Sequence, residues 1–364
     1  MNRLKSLLSR KSPGVGIELT PERINIARLK KQGQTLKLQN LATAEIPEGV
    51  FEEGQILDSP TMAEIIQSTL AENKIKVSRA TSAVPGKAVT RVIPVPAELD
   101  DNELREMVLN QEASLYLPFP RDEADVDYQK LGFFVDDDGI EKVQVLLVAV
   151  KKDITNSYTE TFAQAGLSLN VLETSSFALI RTVREQLRQF TSQEAAALVD
   201  IQFDSTEISI VVDGIPHFSR TVPLGTFQIQ NALSRAMNLP PSRNADLLQG
   251  MTVPLAPAAG KSKAAGMNPG TTAMLRVLGE LSDELRRSID FYLNQGEDME
   301  VAQLLLAGAG SAVSNLDEFF AQRLGLPTSV VDPLESLAIE VDEDLSPTQR
   351  SGLATVLGLG LREV

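Results

Sequence analysis

The 364-residue chain contains no cysteine and no tryptophan, a single histidine, His217, and only 5% aromatic residues. Without cysteine there is no disulfide framework and no thiolate metal site, which fits a reducing compartment. One histidine leaves no set for a zinc centre or a His-based catalytic relay. No apolar stretch approaches the length of a bilayer span; the best, 143–150, is of strand length. The N-terminus lacks the long apolar core of a secretion signal.

What is present is an acidic, globular composition: 43% hydrophobic, 23% charged, net charge −15. Such a charge opposes nucleic-acid binding by the body of the chain. The length suits two or three domains. The charge is uneven. "MNRLKSLLSRK" (1–11) carries Arg3, Lys5, Arg10 and Lys11 and no acid, a local +4, which leaves −19 for the rest. Leu4, Leu7 and Leu8 share one face at helical spacing. Two readings stay open: a frayed basic tail, or a weak foothold on an anionic membrane surface.

After the tail, "GVGIEL" reads as a strand, "PERI" as a turn, and "INIARLKKQGQTLKLQNLATAEI" as two further strands. A helix at 60–72 and a strand at 79–85 follow. Residues 87–172 differ in character: strand, acid-led helix, strands around an Asp-Gly turn, helix, together a compact α+β insertion. Asp136-Asp137-Asp138-Gly139 lacks the alternate ligand spacing of a calcium loop and reads as a solvated hairpin turn. From 195 the opening pattern returns as "AAALVDIQ", "FDST", "EISIVV", "DG" and "IPHFSRTV". The first strand of each unit ends near an acid, Glu18 and Asp200, so the pattern implies two similar α/β lobes facing a cleft.

"FQIQNALSRAMNL" and "RNADLLQG" read as helical, and 251–272, rich in Pro, Gly and Ala, as a mobile surface loop. A long amphipathic helix containing "ELRRSIDFY" follows, then "LLLAGAGSAV" (304–313), and finally the apolar helix "QRSGLATVLGLGL". Gly308 and Gly310 allow close backbone approach, either to packed protein or to a ligand.

These features, with "QEASLYLPFP" at 111–120, resemble the actin-like PilM family of type IV pilus assembly, a relative of the division protein FtsA, over about 13–364. The resemblance implies an α/β, actin-like two-lobed fold of duplicated ribonuclease H-like lobes, with an α+β insertion replacing subdomain 1B/1C. It divides the chain into a basic tail (1–12), lobe 1 (13–86, 173–198 and 345–364), the insertion (87–172) and lobe 2 (199–344). It also implies a cytoplasmic place at the inner face of the inner membrane. The partner implied is the N-terminal peptide of PilN, with contacts to other pilus platform proteins and the assembly ATPases.

In that resemblance, ATP with Mg would lie between the lobes. Glu18 and Thr20 stand at the first phosphate turn, and Asp200, Ser205 and Thr206 at the second, with Asp200 holding Mg through water. Gly308, Gly310 and Ser311 would seat the adenosine, with Arg287 along the adenine face and Arg286 near the ribose. Both phosphate turns depart from the family pattern. Pro21 removes a donor from the first; Gln202 replaces a glycine in the second, and Asp204 sets a negative charge where phosphate would lie. At 244–249, where relatives tend to carry an acid and a lysine, Asp246 keeps the acid but Gln249 stands in the lysine's place. Glu173 is the candidate to orient an attacking water, with a surface acid at a helix start as the equal alternative.

Three functions compete. The favoured one is an adaptor that takes the PilN peptide in a groove between lobe 1 and the insertion, near Tyr116, Phe119 and Phe133, with weak or absent nucleotide binding. The others are an active ATPase or sugar kinase, and an FtsA-like filament former. The scarcity of aromatics disfavours sugar stacking, and two damaged phosphate cradles disfavour hydrolysis.

Overall fold

The computed structural model describes residues 14–33, 35–240, 250–255, 268–294, 299–341 and 345–364. The basic tail, Asp246, Gln249 and most of the 251–272 loop lie outside the described residues.

The chain enters on β1 (Gly14–Leu19), which pairs antiparallel with β2 (Arg23–Gln32), and β2 with β3 (Thr35–Glu45). A short hairpin, β4 (Phe51–Glu52) and β5 (Gln55–Ile56), leads into the helix Ser59–Glu72, capped by the Asp58 side chain. The next strand, β6 (Arg79–Val84), lies parallel to β1. The insertion then forms its own sheet from β7 (Val89–Pro96), β8 (Ala124–Val135) and β9 (Glu141–Lys151), in the order β7-β9-β8. One face is covered by helical turns that begin at Asp101–Glu106, where Asp100 and Glu103 form a capping box. The helix Lys152–Gln164 returns the chain to β10 (Ser168–Thr174), parallel to β6.

The second lobe repeats the plan. β11 (Glu194–Ile201), β12 (Thr206–Val212) and β13 (Ile215–Val222) form an antiparallel meander. β14 (Glu300–Ala307) joins β11 in parallel, and β15 (Thr328–Val330) joins β14. The second sheet runs β13-β12-β11-β14-β15. The first runs β10-β6-β1-β2-β3 and ends on β16 (Ile339–Glu340). Read outward from β3 and β13, the five shared strands have one order, so the duplication expected from the two meanders is present in both sheets.

The central strands β1 and β11 are buried almost throughout, as strands covered on both faces must be. The helix Pro269–Leu293 starts at a proline behind the Asn268 cap, and buries Met274, Val277, Leu278, Leu281, Leu285 and Ile289 at helical spacing against the second sheet.

Four expectations shift. The helix Lys152–Gln164 buries Ile154, Tyr158 and Phe162 in the first lobe's core, and β10 is a strand of that lobe, so the separate module is 89–151 rather than 87–172. The expected boundary at 198/199 cuts β11, which lies wholly in the second sheet. β16 pairs with β3, so the chain is back on lobe 1 before 344. At 251–253 the supposed loop is pinned: Val253 is fully buried, and its amide donates to the Ser314 carbonyl at 2.9 Å.

Candidate functional site

The β1–β2 and β11–β12 turns face one another across an interlobe cavity of about 440 Å³. Of the expected residues, Glu18, Thr20, Asp200 and Ser205 line it, with Gln202 and Asp204 beside them.

The first turn closes on itself. Thr20 donates both its amide and its hydroxyl to the Arg23 carbonyl, at 3.0 and 2.9 Å, and the Arg23 amide donates to Thr20 Oγ1 at 3.1 Å. Pro21 has no N–H to offer. In the second turn the Gln202 amide donates to the Ser205 carbonyl at 2.9 Å, and the Gln202 side chain donates to Asp200 Oδ1 at 2.8 Å. Ser205 gives its hydroxyl to Asp204 Oδ1 at 2.9 Å. Thr206 does not line the cavity: it is fully buried, and its hydroxyl donates to the Leu224 carbonyl. These donors already have protein acceptors, so none of them is free to hold a phosphate oxygen.

The charge points the same way. Five carboxylates line the cavity, from Glu18, Glu53, Asp200, Asp204 and Glu207, against one ammonium, Lys87, which is paired with Glu53 at 2.8 Å. Burial pushes Glu18 up to about 7, against a hydrogen bond from Asn25, with the Asp200 charge adding to the rise. Burial likewise raises Asp200 to about 6, opposed by the Gln202 hydrogen bond. Glu207 is pushed up to about 7 by burial and then by Asp200, with Ser176 and the Gly86 amide of the first lobe opposing the rise. A polyphosphate entering this cavity meets like charge with little to neutralise it. The lining does not fit a triphosphate. Among the described residues, no group of three or more His, Cys, Asp or Glu side chains is placed to hold a metal ion.

The glycine turn answers to packing. Gly308 sits at φ +80°, and a Cβ there would stand 2.4 Å from Asp200 Oδ1 and 2.5 Å from the Ile201 carbonyl. A Cβ on Gly310 would come within 2.3 Å of Ile201 Cγ2. Ser311 is buried and donates to the Gly308 carbonyl at 2.8 Å. The turn backs the end of β11 and does not line the cavity. Nor do Arg286 and Arg287: Arg286 donates to the Arg323 carbonyl, and Arg287 pairs with Glu284, both on the exposed side of their helix.

Glu173 is buried under two arginines. Arg181 grips both its oxygens at 2.7 and 2.8 Å, and Arg362 reaches Oε2 at 2.9 Å. Arg181 also donates to the Gly358 carbonyl, so the carboxylate ties β10 to the C-terminal helix Ala354–Gly360. It does not line the cavity.

A second hollow, of about 590 Å³, opens where the insertion meets lobe 1, against the β12–β13 turn. Leu146 of β9 and the side chains of Phe177, Ile180, Leu187 and Phe190 give it an apolar surface, with Arg184 among the arginines that also line it. Tyr116, Phe119 and Phe133 are not part of it. Phe119 instead lies under the Lys151 ammonium, 5.7 Å from its ring centroid. The sequence carried no signal for Glu207 or Leu146; each is one residue of an ordinary strand pattern.

Two sheets of one strand order, meeting at a cleft between paired hairpin turns, define a protein of actin-like fold. The chain is similar to ethanolamine utilization protein EutJ from Carboxydothermus hydrogenoformans, at 13% identity over 97% of this chain and 90% of that one, TM-score 0.55. It is also similar to MreB 5 of Spiroplasma citri bound to AMPPNP, at 12% identity over 90% and 94%, TM-score 0.50. A stronger likeness is to a chain of the PilM–PilN type IV pilus biogenesis complex: 25% identity, 97% of this chain and 98% of that one, TM-score 0.80. The chain belongs to the type IV pilus assembly protein PilM family, whose model matches residues 16–364.

Proposed function

We propose that this chain is a docking platform of the pilus assembly machinery, stationed at the cytoplasmic face of the inner membrane, where it holds the N-terminal peptide of a PilN partner. The observation that carries this reading is the hollow between lobe 1 and the insertion. It is comparable in size to the interlobe cavity, and it is lined by apolar side chains together with arginines. Such a hollow suits a short peptide that anchors by apolar side chains and is oriented by polar ones. The solved PilM–PilN complex supports the choice of partner. Membrane attachment runs through that partner, since no described helix is long and apolar enough to cross a bilayer.

In this reading the interlobe cavity is a degenerate nucleotide site. ATP with Mg is a weak ligand and is not turned over; the occupied turn donors and the excess of carboxylates support this. A calorimetric titration with the synthetic PilN N-terminal peptide tests the docking role. Micromolar or tighter binding is expected, weakened at least tenfold by Phe177→Ala and Arg184→Glu. Binding indifferent to both substitutions would remove the hollow from the reading.

A further inference from the structure

The tip of the β8–β9 hairpin is apolar and bare. Phe133, Val135 and Ile140 are 69%, 65% and 55% exposed. Phe133 and Val135 alternate on β8, and Phe133 stands opposite Val143 of the insertion's core. The helical turns after Asp101 cover Val126 and Tyr128 further along the strand but leave the tip open. Carboxylates surround it. Asp137, Asp138 and Glu141 are exposed, while Asp136 pairs with Lys142 at 2.6 Å and holds the turn through the amides of Asp138 and Ile140. From 136 to 142 four acids stand against one base, Lys142, which is the partner of Asp136.

A surface both apolar and anionic is matched by a cationic amphipathic segment. Residues 1–11 are one: four cations, no acid, and Leu4, Leu7 and Leu8 at helical spacing. We propose that the N-terminal segment of one copy docks on the β8–β9 tip of a second copy. A copy's own segment is badly placed for its own tip. The described chain begins at Gly14, which pairs with Arg79 at the start of β6, whereas the insertion departs from the far end of β6. The tip then lies beyond the length of β7, about 26 Å at ~3.3 Å per residue. Because the two surfaces differ, the contact is heterologous and links copies head to tail.

The test titrates a labelled synthetic peptide of residues 1–13 with the full chain at low salt, read by fluorescence anisotropy. Sedimentation of the unlabelled chain is followed over a hundredfold range of concentration. Saturable peptide binding is expected, weakened at least tenfold by Phe133→Ser with Val135→Ser, by Asp137→Lys with Asp138→Lys, and by 0.5 M salt, which cuts the screening length from about 30 Å at 0.01 M to a few ångströms. Arg184→Glu leaves it unchanged, which separates this contact from the peptide hollow. Sedimentation shows association that both tip variants lose; circular dichroism checks that they fold. Equal binding by wild type and both variants, or an absence of self-association, overturns the proposal. So does a peptide that binds phosphatidylglycerol vesicles but not the chain.

Discussion

Glu207, on β12 of the second lobe, and Ser176, at the start of a helix of the first, line one small pocket where the lobes meet. Gly86 stands there too, so a partly buried carboxylate sits at the lobe junction beside the cavity. With Glu18 and Asp200 it makes the cleft a cluster of buried carboxyl groups that keep their protons well above the ordinary carboxylate range.

Stability should therefore depend on pH. Glu18 and Asp200 have folded-state values of about 7 and about 6, above their ordinary 4.5 and 3.8. A raised value means the folded state holds the proton more tightly. The stabilisation is complete below about pH 4 and is lost as pH rises through 6 to 7. The Tm should fall between pH 5.5 and pH 8. Glu18→Gln should raise it by a few degrees at pH 8 and leave it nearly unchanged at pH 5, an effect on the order of 2 kcal/mol. A Tm flat over that range would exclude the buried, titrating carboxylates.

Gly308→Ala separates packing from ligand binding. The substitution places a Cβ against Asp200 and Ile201 at a left-handed φ. The expected loss is about 3 kcal/mol in denaturant unfolding, with or without ATP. Undiminished stability would show that the turn faces open space.

Glu173→Ala leaves Arg181 and Arg362 without their shared acceptor. Both arginines keep some solvent contact, so about 2 kcal/mol of stability should go, with loosening of the C-terminal helix visible in hydrogen exchange. Phosphate release should stay at background in wild type and variant alike.

The phosphate turn should be repairable. Gln202→Gly with Asp204→Gly removes the side chains that engage Asp200 and Ser205. Binding of fluorescent ATP with Mg should strengthen at least tenfold over wild type. No gain would place the defect elsewhere in the cleft.

Much of this architecture was legible from residue patterns. Two meanders roughly 180 residues apart, each with an acid near the end of its first strand, pointed to the duplicated lobes, because strand alternation and turn chemistry are local. The helix Lys152–Gln164 was misplaced for the converse reason: its amphipathic face reads the same whichever core receives it. Tyr116, at the end of a helical turn, and Phe133, on β8, drew attention as aromatics, yet whether such a side chain faces a hollow or solvent depends on where the covering helix stops. For the glycine turn the residues allowed both packing and a ligand, and the proximity of Ile201, which accounts for the glycines by packing, is a tertiary contact that no local pattern shows. The departures at the two turns, Pro21, Gln202 and Asp204, were visible directly, since a missing donor and an added charge are properties of those residues themselves.

The most direct measurement is calorimetric titration of the intact chain with the PilN N-terminal peptide, with and without Mg·ATP, alongside a phosphate-release assay. A docking platform with a degenerate cleft gives saturable peptide binding at micromolar strength or tighter, the same in both conditions and lost in Arg184→Glu, with release at background. Absence of heat with the peptide, or phosphate release that rises when it is added, contradicts that role.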